Sequence, residues 1–421
     1  MSTLVTTGSL VKSKKLGFYR KEGRYGAGIL ARFSSPSPKL SDPGRFLFLD
    51  GLRGVAAMMV VVFHLYGNLG PAVQSWVPRP LSALLLNGNL GVDVFFVISG
   101  FVIAHSVRKG ERSWRYLGRF GLRRSIRLDP PLWMTILVEV VLIRISLRLF
   151  PDLGTPLPNW SQIMANVTYS QHFLGIGDIV PVFWSLTYEV QFYIVLVAGL
   201  VLLHRVRRSP SLTPLLFVAA FCYSLGIWLG ALPSPLPGLF IDRWFQFALG
   251  IAAWAVFMGH ITKAQFAALC LVTLCAVLAI SPVAYRARST EVAVLSAGLL
   301  ALVSLTDRLE TTLSGKVIQF LGRISYSLYL IHLSVGWRFI SVFRRKFGPE
   351  LGPAMGSVAF LGGVALSVLA AWLVYVTLEA PSMRLARSIR LPLGVKSRGS
   401  VPGQSNSSSD LLPGISAQSP I

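Results

Sequence analysis

From residue 46 onward, long apolar stretches alternate with short polar or basic segments. An α-helix needs roughly 20 apolar residues to cross the hydrocarbon core of a bilayer, and most of these stretches have about that length. The pattern therefore predicts an all-α, polytopic membrane helix bundle of about ten transmembrane helices, although one stretch, 291–306, is short for a span. The predicted spans are 46–67, 89–107, 129–149, 183–203, 211–230, 239–258, 265–282, 291–306, 319–342 and 354–378.

Composition supports a membrane protein and excludes a water-soluble globular enzyme. Of 421 residues, 53% are hydrophobic and only 14% are charged, whereas a soluble domain carries about 25% charged residues. The net charge of +23 would also suit nucleic-acid binding, but Lys and Arg lie mostly between or beyond the apolar stretches. We therefore expect the lipid bilayer, and no nucleic acid, as a partner. The three cysteines lie in apolar stretches, which argues against a disulfide framework or a metal site.

The two ends of the chain differ from its apolar middle. Residues 1–44 are polar and basic, and the C-terminal residues are rich in Ser, Gly and Pro. Segments of this kind bury too little apolar surface to fold. The sequence therefore predicts a disordered basic tail at 1–44, a membrane domain at 45–385 and a disordered tail at 386–421.

The basic loop at 108–127 sets the orientation of the predicted bundle. It carries eight Arg or Lys residues against one acid, and the positive-inside rule assigns such a loop to the cytoplasm. Counting spans from this loop puts the N- and C-termini in the cytoplasm as well. Two other basic clusters, at 286–288 and 344–346, fall on the outer side in this count, but the larger cluster at 108–127 decides the prediction.

The longest outer connection is predicted to be the loop at 150–182. It contains Trp160 and Tyr169 among Pro, Asn and Gly residues. Aromatic rings in such a setting suit stacking on sugar rings, and they equally suit a belt at the membrane interface. The sequence leaves both interpretations open.

Ionisable residues inside apolar spans are costly, so each one is a candidate for function. Arg53 and His64 lie eleven positions apart in the first predicted span, which is about 16 Å along a helix. Arg53 would lie at the cytoplasmic mouth and His64 near the middle of the bilayer. Imidazole can accept and return a proton near neutral pH, so His64 is a candidate general base. The alternative is a hydrogen-bonded structural histidine.

The second and third predicted spans carry further candidates. Asp93 is near the outer end of its span and could orient a partner or an acceptor hydroxyl. Arg124 and Arg127 precede a predicted helix start at the Asp-Pro-Pro of 129–131 and would face the cytoplasm. Their guanidinium groups suit bidentate binding of phosphate, and marking the topology is the alternative role.

Polar candidates also occur in two later spans. Glu189 lies about one and a half turns into its span, where a carboxylate needs a partner or a water-filled cavity. It could share a proton with His64 or bind a sugar hydroxyl. Ser325, Tyr326 and His332 could contact a substrate, or they could only bond to neighbouring helices.

Five short motifs follow one another between residues 46 and 380. They are the Arg-x10-His of Arg53 and His64, the Gly-Val-Asp-x-Phe-Phe-x-Ile-Ser-Gly that begins at Gly91, the Arg-x-x-Arg of Arg124 and Arg127, the Trp-Ser-Leu-x-x-Glu that ends at Glu189, and the Ser-Tyr-x-x-Tyr-Leu-x-His that ends at His332. In this order they resemble the acyltransferase 3 family of membrane O-acyltransferases, which includes enzymes of O-antigen, exopolysaccharide, nodulation-factor and macrolide acylation. The long basic N-terminal tail has no counterpart in this resemblance.

The resemblance implies a ten-helix domain in a bacterial inner membrane that takes an acyl group from cytoplasmic acyl-CoA, with acetyl-CoA as the expected donor. The implied acceptor is a hydroxyl of an extracytoplasmic or membrane-linked carbohydrate or glycolipid. The family's essential arginine and histidine correspond to Arg53 and His64. We therefore predict catalytic roles for His64, Glu189 and Asp93, contacts with acyl-CoA or substrate for Arg53, Arg124, Arg127, Ser325, Tyr326 and His332, and no metal.

Two alternatives stay open from the sequence. His64 could act as a general base on the acceptor hydroxyl, or it could itself be acylated before passing the group on. A transporter or flippase would also carry buried His, Glu and Arg residues along a substrate or proton path. Such a protein would need no coenzyme A site, so binding of acyl-CoA separates the two hypotheses. The sequence carries no signal for an oligomeric state.

Overall fold

The computed structural model describes residues 46–153, 156–205, 212–236, 238–280 and 283–392. These ranges are predominantly helical and hold no β-strand, which confirms the predicted all-α class. The predicted tail at 1–44 lies outside the described residues, as does 393–421. The α-helices are α1 Leu47–Gly67, α2 Pro71–Trp76, α3 Arg79–Leu86, α4 Gly91–Val107, α5 Trp114–Leu149, α6 Trp160–Val167, α7 Phe183–Arg205, α8 Leu212–Leu229, α9 Trp244–Phe257, α10 Lys263–Ile280, α11 Ala284–Leu305, α12 Lys316–His332, α13 Arg338–Phe347, α14 Pro353–Val374 and α15 Ala380–Ser388.

Seven helical segments of the described chain are long and apolar enough to cross a membrane. They are Leu47–Gly67, Arg79–Val107, Phe183–Arg205, Phe240–Phe257, Lys263–Ile280, Ala284–Leu305 and Pro353–Ser388. These segments confirm a polytopic membrane bundle, whereas the count of ten spans stays a prediction. The stretch predicted at 291–306 is longer than expected, because α11 already begins at Ala284. The last helix of the described residues, α15, continues to Ser388 and so extends past the predicted domain boundary at 385.

The start of α1 lies beside the segment that follows α11, and the start of α11 lies beside the segment that follows α3, so two ends of the bundle can be distinguished. At the first end of the bundle, the backbone N–H of Phe48 donates to the carbonyl oxygen of Leu309 at 2.8 Å. At the second end, the side chain of Arg288 donates to that of Asn87 at 3.0 Å. The basic segment 108–127 begins at the first end, because the centre of the Phe46 ring, just before α1, lies 5.2 Å from that of the His105 ring.

α1 and α12 run parallel and pack closely because each has a glycine at their contact. A Cβ atom on Gly322 would lie 2.1 Å from the carbonyl oxygen of Asp50, and one on Gly54 would lie 2.5 Å from the backbone nitrogen of Gly322. Small residues permit this approach of two backbones in membrane helices. Gly54 and Gly322 are separated by 268 positions, and so are His64 and His332. The same register therefore brings the two histidines together about 15 Å beyond the glycines.

The predicted helix start at 129–131 is wrong. α5 begins at Trp114, where the Ser113 hydroxyl accepts a hydrogen bond from the backbone of the first turn, and the two prolines lie inside the helix. The Asp-Pro-Pro sequence resembled the start of a helix because proline is common in the first helical turn. Arg and Leu favour helix, so the basic segment continues the helix instead of forming a loop. Arg124 and Arg127 therefore project from a regular helix.

The segment predicted as an outer loop at 150–182 folds back along the bundle. It contains α6, and the Tyr169 hydroxyl donates a hydrogen bond of 2.9 Å to Oδ1 of Asp129 on α5. Asp129 lies about one and a half turns past Arg124, so this segment reaches the neighbourhood of the predicted phosphate-binding arginines. Burial, and after it the charge of Asp129, raise the pKa of Tyr169 well above its ordinary value. Trp160, in contrast, is 77% exposed.

Two π turns interrupt the long C-terminal helices. The first is Leu333–Trp337 between α12 and α13, and the second is Tyr375–Glu379 between α14 and α15. A π turn holds one residue more than an α turn and is frequent at functional sites. Each one is associated with a charged residue inside the bundle, since Arg338 follows the first turn and Glu379 ends the second.

Candidate active site

A small cavity of about 70 Å³ opens between α1, α4, α5, α7 and α12. Six residues that the sequence singled out line this cavity, and they come from four helices. The polar lining consists of Arg53, Ser99, Arg124, Arg127, Ser185, Glu189, Tyr193, Ser325, Tyr326 and Tyr329. We call it the arginine cavity.

Three guanidinium groups make the arginine cavity strongly positive. Arg53 comes from α1, while Arg124 and Arg127 lie about one turn apart on α5 and so share a face of that helix. The Arg124 guanidinium carbon lies 4.7 Å from the centre of the Tyr193 ring and 5.5 Å from that of Phe120. These cation–π contacts hold the guanidinium in place. Together the arginines can bind a multiply charged phosphate ligand through charge-assisted hydrogen bonds.

A buried carboxylate, Glu379, lies beside these arginines. It is 2% exposed, and the Ser327 hydroxyl donates to its Oε2 at 2.6 Å. Arg53 and Arg127 are near enough to interact with it electrostatically. Glu379 was not predicted as a functional residue, because it lies just beyond the last predicted span at 354–378. Extending that span by one residue would have brought it under the rule that charged residues in spans are candidates for function.

Two hydroxyl groups hold Glu189 at the wall of the arginine cavity. The Ser99 hydroxyl donates to Oε1 at 2.7 Å, and the Tyr193 hydroxyl donates to the same oxygen. The sequence analysis suggested that Glu189 could share a proton with His64. The hydrogen-bond partners of Glu189 in the described chain are instead Ser99 and Tyr193, so the structure does not bring the two predicted groups into direct contact.

His64 pairs with His332. Nε2 of His332 lies 3.2 Å from Nδ1 of His64, and the two ring centres are 5.1 Å apart. His332 is fully buried and His64 is half-buried. Neither histidine is among the described residues that line the arginine cavity. Tyr329 connects the two places, because it lines the cavity and its ring centre lies 6.2 Å from that of His332.

Asp93, the third predicted catalytic residue, belongs to a separate polar cluster. It is 1% exposed, and its Oδ1 accepts hydrogen bonds from Arg243 at 3.1 Å, Gln246 at 2.7 Å and Ser289 at 2.8 Å. The Arg243 guanidinium carbon lies 3.6 Å from the centre of the Trp228 ring. A buried carboxylate needs such a partner, and Arg243 meets that need here. The hydrogen-bond partners that the described chain gives Asp93 all lie in this cluster, and neither His64 nor His332 is among them.

Ser325 and Tyr326 differ in what they offer to the arginine cavity. The Tyr326 hydroxyl donates to the carbonyl oxygen of Leu128 at 2.7 Å and ties α12 to α5. The Ser325 hydroxyl is buried and has no hydrogen-bond partner in the described part of the chain. A buried hydroxyl without a partner is unfavourable, so Ser325 is the group most available to a bound ligand. Within the described ranges, no three His, Cys, Asp or Glu side chains gather as a metal site needs.

Two ion pairs inside predicted spans escaped the sequence analysis. Arg338 donates to Oε1 of Glu139 at 2.6 Å and joins the start of α13 to α5. Arg243 forms the second pair with Asp93. Glu139, Arg243 and Arg338 all lie in apolar stretches, so the rule that singled out His64 applied to them as well. Their pairing, however, depends on how the helices pack.

A sequence profile of the acyltransferase domain matches residues 46–376, which contain the arginine cavity and both members of the histidine pair. The chain belongs to the acyltransferase 3 family. Membership makes it an acyltransferase, and the apolar helices make it an integral membrane protein. No solved structure matches this acyltransferase.

Relatives of this acyltransferase carry several different names. BcsY of Komagataeibacter xylinus, provisionally named a membrane-bound transacylase, is 27% identical over 363 residues, which cover 83% of this chain and 86% of BcsY. The acyltransferase MdmB of Streptomyces mycarofaciens is 27% identical over 372 residues, covering 80% of this chain and 91% of MdmB. The peptidoglycan O-acetyltransferase OatA of Listeria monocytogenes is 27% identical over 322 residues, which cover 68% of this chain but 49% of OatA. The match therefore spans about half the length of OatA.

Proposed function

We propose that this protein is an O-acyltransferase that moves an acyl group, expected to be acetyl, from acyl-CoA to a hydroxyl of an extracytoplasmic or membrane-linked carbohydrate. One observation carries the proposal: three arginines line a cavity whose Tyr329 wall contacts a histidine pair. This joins a site for a phosphorylated donor to a group that can accept a proton. The names of OatA and BcsY, an O-acetyltransferase and a transacylase, are consistent with the same reaction.

The arginine cavity is the proposed donor site. Arg53, Arg124 and Arg127 bind the phosphates of coenzyme A, since guanidinium groups pair with phosphate in bidentate geometry. The thioester end of the donor then extends toward Tyr329. The unpartnered hydroxyl of Ser325 is available to it on the way.

The histidine pair is the proposed reaction centre, and two routes are compatible with it. In the first, Nε2 of His64 takes the proton of the acceptor hydroxyl, the oxygen bonds to the thioester carbonyl carbon, and the C–S bond breaks. The thiolate of coenzyme A leaves and receives the proton from His64. In the second, Nε2 of His64 bonds to the thioester carbonyl carbon, the C–S bond breaks, and the thiolate of coenzyme A leaves. The oxygen of the acceptor hydroxyl then bonds to the acyl carbon, the C–N bond breaks, and the hydroxyl proton passes to the thiolate, which leaves His64 neutral.

We also propose a bacterial inner membrane as the location, with the first end of the bundle and both termini in the cytoplasm. At that end, Arg205 of α7 lies over the Trp114 ring at the start of α5, and Arg119 of α5 donates to the backbone of Arg390 after α15. Such an excess of arginine marks a cytoplasmic face. The donor would then enter from the cytoplasm, and the acceptor would approach the half-buried His64 from the second end.

Binding of acetyl-CoA to purified protein in nanodiscs tests the donor site. Arg124→Ala and Arg127→Ala should each raise the Kd by about tenfold or more, because each removes a charge-assisted phosphate contact. Arg115→Ala is the matched control, since Arg115 is an exposed arginine on the same helix and outside the cavity. Equal effects of all three variants, or no binding by the unmodified protein, would contradict the donor assignment.

Transfer of labelled acetyl groups tests the role of His64. His64→Ala should lower transfer on the order of 100-fold or more while membrane yield stays normal. His260→Ala, an exposed histidine after α9, is the control. Mass spectrometry of surface glycans from cells with and without the gene should show a difference of about 42 Da for each acetyl group, which also identifies the acceptor. Wild-type transfer by His64→Ala would refute the mechanism, and substrate transport without acyl transfer would favour a transporter.

A further inference from the structure

The surroundings of His332 determine where its ring proton lies. Its Nδ1 lies 2.8 Å from the carbonyl oxygen of Tyr329 and 3.1 Å from that of Leu328. A carbonyl oxygen can only accept a hydrogen bond, so Nδ1 of His332 carries the proton. In a neutral imidazole the other nitrogen then has the lone pair, and Nε2 of His332 is an acceptor.

The neighbours of His64 likewise determine which of its ring nitrogens carries the proton. Its Nδ1 faces Nε2 of His332 at 3.2 Å and the carbonyl oxygen of Val60 at 3.0 Å. Both neighbours are acceptors, so Nδ1 of His64 carries its proton as well. The lone pair of His64 is therefore on Nε2, which is the atom that both proposed routes use.

We propose that His332 is a positioning residue that fixes the tautomer and the ring direction of His64. It is 0% exposed, and both of its ring nitrogens are engaged within the bundle. It therefore has no free atom for the donor contact that the sequence analysis suggested. The Val60 carbonyl is one turn away on α1 itself, whereas His332 is on a different helix and gives the imidazole a second fixed point. This proposal rests on the proposed function of His64.

The chemistry of the pair differs from that of a histidine oriented by a carboxylate. No Asp or Glu is among the hydrogen-bond partners of either histidine in the described chain. When Nε2 of His64 takes up a proton, its Nδ1–H bond to His332 becomes charge-assisted and stronger. No negative charge holds that proton on the ring. A neutral partner thus suits a base that must return its proton to the departing thiolate within the same cycle.

The tautomer can be read without any activity measurement. Nitrogen NMR of the full-length protein in nanodiscs, labelled at its six histidines, distinguishes a protonated from an unprotonated ring nitrogen. The signals of His64 and His332 are assigned from the His64→Ala and His332→Leu variants. We expect a protonated Nδ1 and an unprotonated Nε2 for both rings. A proton on Nε2 of His64 would overturn the proposal, whether or not the protein transfers acetyl groups.

Two substitutions separate positioning from donor binding. His332→Leu fills the site without an acceptor, and His332→Gln puts an acceptor oxygen near the place of Nε2. His332→Leu should lower kcat about 10- to 100-fold, because a misdirected base loses near-attack geometry. The KM for acetyl-CoA should stay within about twofold, and His332→Gln should restore most of kcat.

Thermal unfolding of both variants shows whether each one folds. A raised KM with unchanged kcat would mean that His332 contacts the donor. Equal losses for His332→Leu and His332→Gln, with the NMR signal of His64 unchanged, would mean a purely structural role. Either result would overturn the positioning role. A wild-type protein that does not transfer acetyl groups would refute the proposed function, and the tautomer would still be decided by NMR.

Discussion

The Tyr169 hydroxyl donates a hydrogen bond of 2.9 Å to the Asp129 carboxylate, although the two residues are 40 positions apart. Asp129 lies on the same helix as Arg124 and also accepts a hydrogen bond from Ser125. The segment after α6 is thereby tied to the helix that carries two of the three cavity arginines. Changes in this segment should therefore alter ligand binding at the proposed donor site.

Tyr169→Phe tests this connection. It removes one hydrogen bond to a charged group, which should lower the free energy of unfolding by about 1–3 kcal/mol. The Kd for acetyl-CoA should rise less than in Arg124→Ala, because the arginine itself stays. Thermal unfolding and binding in nanodiscs measure both effects. Tyr223→Phe, at a 41% exposed position on α8, is the control and should change neither quantity.

Gly322→Ala should separate α1 from α12. Its new methyl group would meet the Asp50 carbonyl oxygen at 2.1 Å, and overpacking of this kind costs about 1–3 kcal/mol. Because the two histidines share the register of this contact, transfer should fall at least about tenfold. Gly298→Ala, where a Cβ meets nothing within 4 Å, should be neutral or slightly stabilising. Equal transfer by both variants would show that the glycine contact does not align the histidines.

Losing one member of the ion pair between Glu139 and Arg338 should destabilise the fold more than losing both members together. Glu139→Gln leaves the half-buried Arg338 guanidinium without its counter-charge, which costs about 1–3 kcal/mol. Replacing Arg338 as well, in Glu139→Gln/Arg338→Met, should recover a large part of this loss. Thermal unfolding of Glu139→Gln, Arg338→Met, the double variant and the unmodified protein completes a double-mutant cycle. Additive losses would argue that the two side chains do not interact.

The side of the membrane on which each connecting segment lies can be tested without a substrate. In a variant without native cysteines, Glu350→Cys should react with a membrane-impermeant thiol reagent in intact cells. Arg115→Cys should react only after the membrane is permeabilised, because the positive-inside rule puts its segment in the cytoplasm. Both positions are exposed. The reverse pattern would invert the proposed topology and with it the direction of acyl transfer.

The sequence was most informative where a physical rule acts locally. Apolar stretches of membrane length predicted the helices, and the cost of charge in lipid singled out Arg53, Arg124, Arg127 and Glu189, which the fold brings to one cavity. The boundary at 129–131 was misread because Asp-Pro-Pro favours a helix start without requiring one.

The partners of the buried groups could not be predicted from local rules. His332 meets His64 across 268 positions only because glycines let α1 and α12 approach. Asp93 was expected to orient a partner or an acceptor hydroxyl, and the structure shows that its counter-ion is Arg243, from a different helical segment. Such partners depend on which helices pack together. The spacing of apolar residues along the sequence predicts the helices but does not specify their packing.

The π turn at Leu333–Trp337 lies between α12 and α13, which otherwise form one continuous helix. It changes the directions in which the side chains of α13 point relative to those of α12. Each residue advances an α-helix by about 100°, so one additional residue rotates everything beyond it by that angle. His332 lies before the turn and faces α1, whereas Arg338 lies after it and faces α5. Deleting one residue from this turn would leave the histidine in contact with His64 while swinging Arg338 away from Glu139. The contact of His332 with His64 and the contact of Arg338 with Glu139 are therefore set by separate parts of this helical segment.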